Sequence, residues 1–355
     1  MEMPPDTETA NPTDVKRTVA TRRFGIFTIQ VLVIFGLLNV GALIALPHDK
    51  YLRYQTLNDA QAPNSYWIYE RIHFDPTPID VAFIGSSRTG QSIHTRRFEE
   101  DLARRGINVK AVNFFFVRAG VNIQYVIAKE LLTSRKIKLL VLEIDEREER
   151  KPHDAFNLYA DPVDVLTAPL WINFDYFSDI IRLPSRQVHL AWQTALQNLG
   201  LRSPDFVPPP YEGPNLDYAQ VIHSLDNVDH NRSVVHTEAE MEAKRVQWLH
   251  ELTRQVLPRS LSDLEFRFPR YYERQLLDLA QAHDTKVVFL YTPQYGGPQH
   301  PPPYDLYAGR ADLINPWGEL QDYRLWFDVN HVNWDGAKRM TDYVADALAN
   351  RSELK

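Results

Sequence analysis

By the pattern of hydrophobic and polar positions, the chain divides into a long apolar block, a series of short apolar runs alternating with amphipathic stretches, and an irregular middle. The long block is FGIFTIQVLVIFGLLNVGALIAL, residues 24–46, with no charged side chain. As a helix it would rise about 34 Å, enough to cross a hydrocarbon core. Thr28, Gln30 and Asn39 interrupt it, but each can bond within a helix or to a neighbour. The first short run, Ile79 to Ile84, ends at a glycine, as a strand buried on both faces would. TRRFEEDLARRG follows with helical rhythm, and NVKAVNFFF supplies a second strand. The pattern then predicts a helix over 120–135, a third strand over 136–144, a helix in RYYERQLLDLAQAHD and a strand over 285–293. A last helix is expected from Trp334 to Leu348, with Ala337, Met340, Val344 and Leu348 sharing a face with Trp334. Strands separated by helices predict a layered α/β domain with a mostly parallel sheet over 79–349.

Between these halves, residues 150–265 lose the β/α rhythm. They contain APLWINFDYF, helix-like PSRQVHLAWQTALQNL, the Pro/Gly-rich FVPPPYEGPN and helix-like EAEMEAKRVQWLHELTRQVL. This stretch reads as a cap insertion over the open sheet edge or the site rim, with a separate recognition domain as the alternative. Residues 47–78 read as a linker, with a turn at Pro63 and Asn64.

Charge gives the apolar block a direction. Lys16, Arg17, Arg22 and Arg23 precede it, and only His48 and Lys50 follow closely. Retention of positive charge places residues 1–23 in the cytosol, residues 24–46 across the inner or cytoplasmic membrane, and the rest in the periplasm or outside the cell. A cleaved signal peptide would have a shorter apolar core and a small-x-small cleavage site, which is not evident. A buried helix of a soluble protein is the third reading. One span alone makes a pore or transporter a poor fit. The net charge of −7 offers no basic surplus for a general nucleic-acid partner. With no cysteine, disulfides, a thiol nucleophile and thiolate metal sites are excluded.

Two short segments carry candidate chemistry. GSSRTG, residues 85–90, follows the first strand and puts Ser87 at the first turn of a helix. There a hydroxyl can project from the sheet's C-terminal edge while backbone N–H groups face an oxyanion. The same segment also suits an ordinary strand-to-helix turn. It is not a P-loop, because the terminal Gly-Lys-Ser/Thr is missing. DVNHVNWDG, residues 328–336, sets Asp328 three positions before His331. On a turn the carboxylate can meet one imidazole nitrogen and leave the other for Ser87. Alternatively, Asn333 caps the last helix and Asp328 makes a turn bond. Glu143 and Asp145 end the third strand, but their spacing selects no metal site and no cofactor is implied.

Taken together, these blocks resemble the SGNH, or GDSL-like, hydrolase superfamily, and more narrowly its membrane-anchored branch of DltD-like and polysaccharide O-acetylation proteins. Gly85, Ser86 and Ser87 match the first block, Asp328 and His331 the D-x-x-H block, and Asn333 and Gly336 its H-x-N-x-x-G continuation. The resemblance implies a three-layer fold in which Ser87 is the nucleophile, His331 the base and Asp328 its orienting acid. It places oxyanion donors after the second and third strands. Gly120 stands after the second strand at a longer spacing than usual, and Glu143, Ile144 and Asp145 occupy the place of the expected asparagine. Arg88 and Arg118 are the side chains that would compensate at the oxyanion or substrate. The implied function is serine-dependent O-acyl transfer, with acetyl as the plausible group, to an envelope or exported polysaccharide. A multispanning membrane O-acyltransferase is the implied partner. A glycan esterase or deacetylase, a D-alanyl transfer protein and a non-catalytic polysaccharide-binding subunit remain alternatives.

Overall fold

The structure is a computed structural model and describes residues 12–56, 65–118, 120–146, 148, 150–171, 173–202, 221–223, 229–231, 235–251 and 255–355. Helix α1 (Pro12–Ile44) begins earlier than the expected span, so part of the tail is helical. Its segment Ile26–Ile44 is long and apolar enough to cross a membrane, and its apolar stretch is not buried in the body of the protein, although α9 packs against the helix. That supports a single-pass membrane anchor.

The stretch read as a linker is instead part of the folded body. It forms α2 (Lys50–Thr56) and α3 (Ser65–His73), and Tyr51, Leu52, Tyr54, Ile68 and Ile72 are buried. Pro63 and Asn64 lie outside the described residues. Beyond them run β1 (Val81–Gly85), α4 (Ser87–Ser92), α5 (Thr95–Ala103), β2 (Ala111–Phe115), α6 (Val121–Ser134) and β3 (Leu139–Ile144). The middle stretch supplies α7 (Phe156–Tyr159), α8 (Pro162–Thr167), α9 (Tyr176–Asn198), the antiparallel pair β4 (Val221–His223) and β5 (Asp229–Asn231), and α10 (Glu238–Glu251). Then come α11 (Ser262–Glu265), α12 (Arg267–Ala282), β6 (Lys286–Tyr291), β7 (Asp312–Ile314) and α13 (Trp334–Leu348).

The main sheet has the order β2-β1-β3-β6-β7, and every neighbouring pair is parallel. Alternation along the strands builds two cores. Ala82, Ile84, Leu140 and Leu142 join residues of α3, α6 and α12 on one face, while Val81, Phe83, Leu139 and Val141 join α5 and α13 on the other. The result is three layers, α/β/α. From β1 the chain steps outward to β2 and then returns to place β3 on the opposite side. The order therefore reverses beside β1, and in sheets of this kind the ligand crevice lies at the C-terminal ends of the strands at such a reversal.

The middle stretch does not act as one cap. Helices α7, α8 and α9 pack among themselves and against α1, α2 and α6. Helix α10 turns to the other face, where Met241 is buried in the core that holds α13. Residues 206–215, FVPPPYEGPN, lie outside the described residues.

Candidate active site

The turn after β1 is set by its buried groups. Ser86 is the N-cap of α4, with φ −87° and ψ −170°, and its hydroxyl accepts from the Arg88 N–H at 3.1 Å. At the end of β3, the Glu143 carboxylate accepts four donors from this one turn. They are Ser86 N–H at 2.8 Å, Ser86 Oγ at 2.6 Å, Thr89 N–H at 3.2 Å and Thr89 Oγ1 at 2.5 Å. A Cβ at Gly85 would run into Thr89 Oγ1 and the Glu143 side chain, so glycine is required by close approach. From β2, the Asn113 amide donates to the carbonyls of Thr89 and Ile93 at 3.0 and 3.1 Å and ties off the far end of α4. Ser87 is thus the first residue of a short helix held at both ends. Its N–H belongs to the first turn, where helix geometry offers no internal acceptor.

The second half is a tight loop before α13. Trp326 pairs with Val332 across its base, and Phe327 N–H donates to His331 O at 2.9 Å. Trp326 is buried, with its indole N–H on Leu320 O at 2.8 Å. Asn333 Oδ1 caps α13 by accepting from the N–H groups of Asp335 and Gly336, both at 3.1 Å. Its amide also donates to Arg324 O at 2.6 Å. The cap and the acid–histidine pair are therefore separate features of one loop: Asn333 starts the helix, while Asp328 and His331 face each other.

Across the crevice the two halves meet. Ser87 Oγ lies 2.9 Å from His331 Nε2, and His331 Nδ1 lies 2.9 Å from Asp328 Oδ2. Asp328 Oδ1 also accepts from the N–H groups of Asn330 at 2.7 Å and His331 at 2.9 Å. Burial pushes the Asp328 carboxyl up. The His331 imidazole and these N–H donors outweigh it and hold the carboxyl down at about 2. As the carboxylate only accepts, Nδ1 carries the hydrogen, and Nε2 is left to accept the Ser87 hydroxyl proton. The His331 and Asp328 side chains keep 20% and 35% of their surface exposed, so a solute can reach the series.

Arg88 sits in another role than the sequence suggests. Its side chain is 5% exposed and donates to both Glu146 carboxylate oxygens at 3.1 Å, to Thr292 O at 3.0 Å and to Asn330 Oδ1 at 2.8 Å. Burial opposes the guanidinium charge, but Glu146, Asp145 and Glu143 outweigh it and push its pKa up. Arg88 thereby fastens the Ser87 helix to the His331 loop through its Nη1 and Nη2 groups.

Arg118 and Gly120 lie on the loop after β2. Arg118 has φ 71°, in the left-handed region, and its half-exposed guanidinium pairs with Asp154 at 3.1 Å. Gly120 caps α6, where a Cβ would press on His153. The buried His153 ring donates to Val117 O at 2.7 Å and supports this loop. Among the described residues, neither Arg118 nor Gly120 bonds to Ser87, Asp328 or His331. No group of three or more His, Asp or Glu among the described residues is placed to hold a metal ion.

Sequence reading did not give Glu143 or Asn113 its part in holding the Ser87 turn, and it passed over Thr292 and Asn330. The one signal for Glu143 was an acid ending an otherwise apolar strand next to the Ser87 turn. Compared with known proteins, the chain matches no family model and no curated protein sequence.

Proposed function

We propose that this protein is a membrane-anchored serine acyl-transfer enzyme of SGNH-like type, moving an acyl group, with acetyl favoured, onto the hydroxyl of an exported or envelope polysaccharide. The reading is carried by the hydrogen-bonded series Ser87–His331–Asp328 at the sheet crevice. His331 Nε2 removes the Ser87 proton as Oγ attacks the ester carbonyl, and Asp328 stabilises the imidazolium. The tetrahedral oxyanion collapses as His331 returns the proton to the leaving oxygen, leaving an acyl-serine. A glycan hydroxyl then gives its proton to Nε2, attacks the acyl carbon and releases Ser87. The Ser87 N–H, at a helix start, is the first donor to the oxyanion.

The anchor, with its basic N-terminal flank, favours an outward-facing domain beside a membrane-embedded acyl supplier. A multispanning O-acyltransferase would fill that role. The partial exposure of His331 and Asp328 favours a second reading, an esterase in which water replaces the glycan hydroxyl.

The test starts from the purified full chain and a serine-directed fluorophosphonate. Labelling of wild type that is lost in folded Ser87→Ala supports acyl chemistry, whereas equal labelling of both removes it. Supplying an acyl donor and a candidate glycan then separates the readings. Acceptor-dependent product favours transfer, and free acid alone favours the esterase.

A further inference from the structure

Helix α9 has one face covered by the body of the protein, mixed in polarity, and an apolar face left open. Leu183, Gln187 and Leu190 are buried inward. Phe177, Ile181, Val188 and Trp192 recur at helical spacing on another side, continued by Phe174 before the helix and Leu199 after it, and all six are exposed. Phe174 is 86% and Ile181 77% exposed. Isolated apolar side chains on a surface are ordinary, but a stripe along a whole helix marks a contact surface.

The position of α9 indicates what covers this stripe. Gln187 Nε2 donates to Ile44 O, at the last turn of the span, at 2.9 Å. Asp49 N–H donates to Thr194 Oγ1 at 2.8 Å. The helix is therefore bonded to the point where α1 leaves the apolar zone. Beside that point, Ile44, Leu46 and Pro47 share a cleft of about 580 Å³ with Val163 and Leu166 of α8, so the apolar surface of the span continues onto the insertion. Leu170 and Trp171, just beyond α8, are exposed as well. The only acid within α9 is Asp179, which is buried and accepts from Asn157, whereas Arg182 and His189 lie outward. An aromatic and aliphatic stripe flanked by Arg182, with the partly exposed N-cap Asp175 near its start, suits the headgroup–acyl boundary of a bilayer.

We infer that the α8–α9 face lies in the outer surface of the same membrane that α1 crosses, as a second, in-plane contact with lipid. The folded domain then rests on the bilayer and is held by two elements instead of one.

The absence of native cysteine makes the test direct. Full-length Phe177→Cys and Ile181→Cys, with Glu240→Cys on α10 as an aqueous reference, carry a nitroxide label after reconstitution into phosphatidylethanolamine/phosphatidylglycerol vesicles. Circular dichroism and thermal melting check the fold of each. The expected result is an oxygen-over-nickel-chelate accessibility ratio severalfold higher at 177 and 181 than at 240. Two results overturn the inference. Chelate access at 177 and 181 equal to that at 240 means the face is in water. Immobile labels shielded from oxygen and chelate alike mean that a protein, either a second copy or a membrane partner, covers it.

Discussion

At Ser87 the position of the hydroxyl depends on buried neighbours in its turn. Glu143 accepts four donors from the turn, and a glutamine there would turn an NH2 toward some of them. Glu143→Gln is expected to cost roughly 2–4 kcal/mol of stability and to slow fluorophosphonate labelling, measured by urea unfolding and by labelling rate. Asp328→Asn should leave the fold intact but slow labelling by about four orders of magnitude, because the imidazole loses its hydrogen-bonded tautomer. The Asp328 carboxyl sits at about 2 when folded, below its unfolded value of about 3.9. Its stabilisation is therefore complete above the unfolded value and fades as pH falls through about 2, and the stability gap between wild type and Asp328→Asn should shrink over that range. The serine and the D-x-x-H pair were legible because short-range spacing carries them. The part played by Glu143 was not, since a strand-ending acid looks the same whether it meets water or a neighbouring turn. Arg88 shows the complementary limit: its type and place near the nucleophile suggested substrate, while its direction is fixed by Glu146 and Asn330, distant in sequence.

Among the elements, those made of long apolar or strictly periodic segments were legible. Strands β1, β2, β3 and β6 and helix α13 fall where the pattern put them. Strand β7 is only Asp312–Ile314, too short to show a period, and α2 and α3 carry enough polar residues to pass for a linker. Helix α9 starts at Tyr176 and runs through Pro184, a residue that more often marks a helix start or break. Helix α13 depends on its cap: Asn333→Ala removes the acceptor for two N–H groups and the bond to Arg324 O. A loss of about 2 kcal/mol is expected by thermal or urea unfolding. On α12, burial pushes the Glu273 carboxyl up to about 7, although the Tyr307 hydroxyl donates to it. Between the unfolded value and about 7 the folded chain keeps a proton that the unfolded chain has released, so stability falls as pH rises across that window. Glu273→Gln keeps an acceptor for Tyr307, and should raise Tm clearly at about pH 8 and little at about pH 5.

For the molecule as a whole, the junction at Ala45–Asp49 matters as much as the crevice. The span ends at Ile44 and the packed helix α2 begins at Lys50, with Gln187 and Thr194 bonded across the gap. Inserting a flexible Gly/Ser segment after Pro47 is expected to leave fluorophosphonate labelling unchanged and to lower transfer from a membrane-held donor, measured in vesicles. Little slack separates the stem from the head. On the proposed acyl-transfer reading, such a mount would hold Ser87 at one altitude and bearing, so that a polymer bond would be serviced only as it passed through one narrow shell above the lipid.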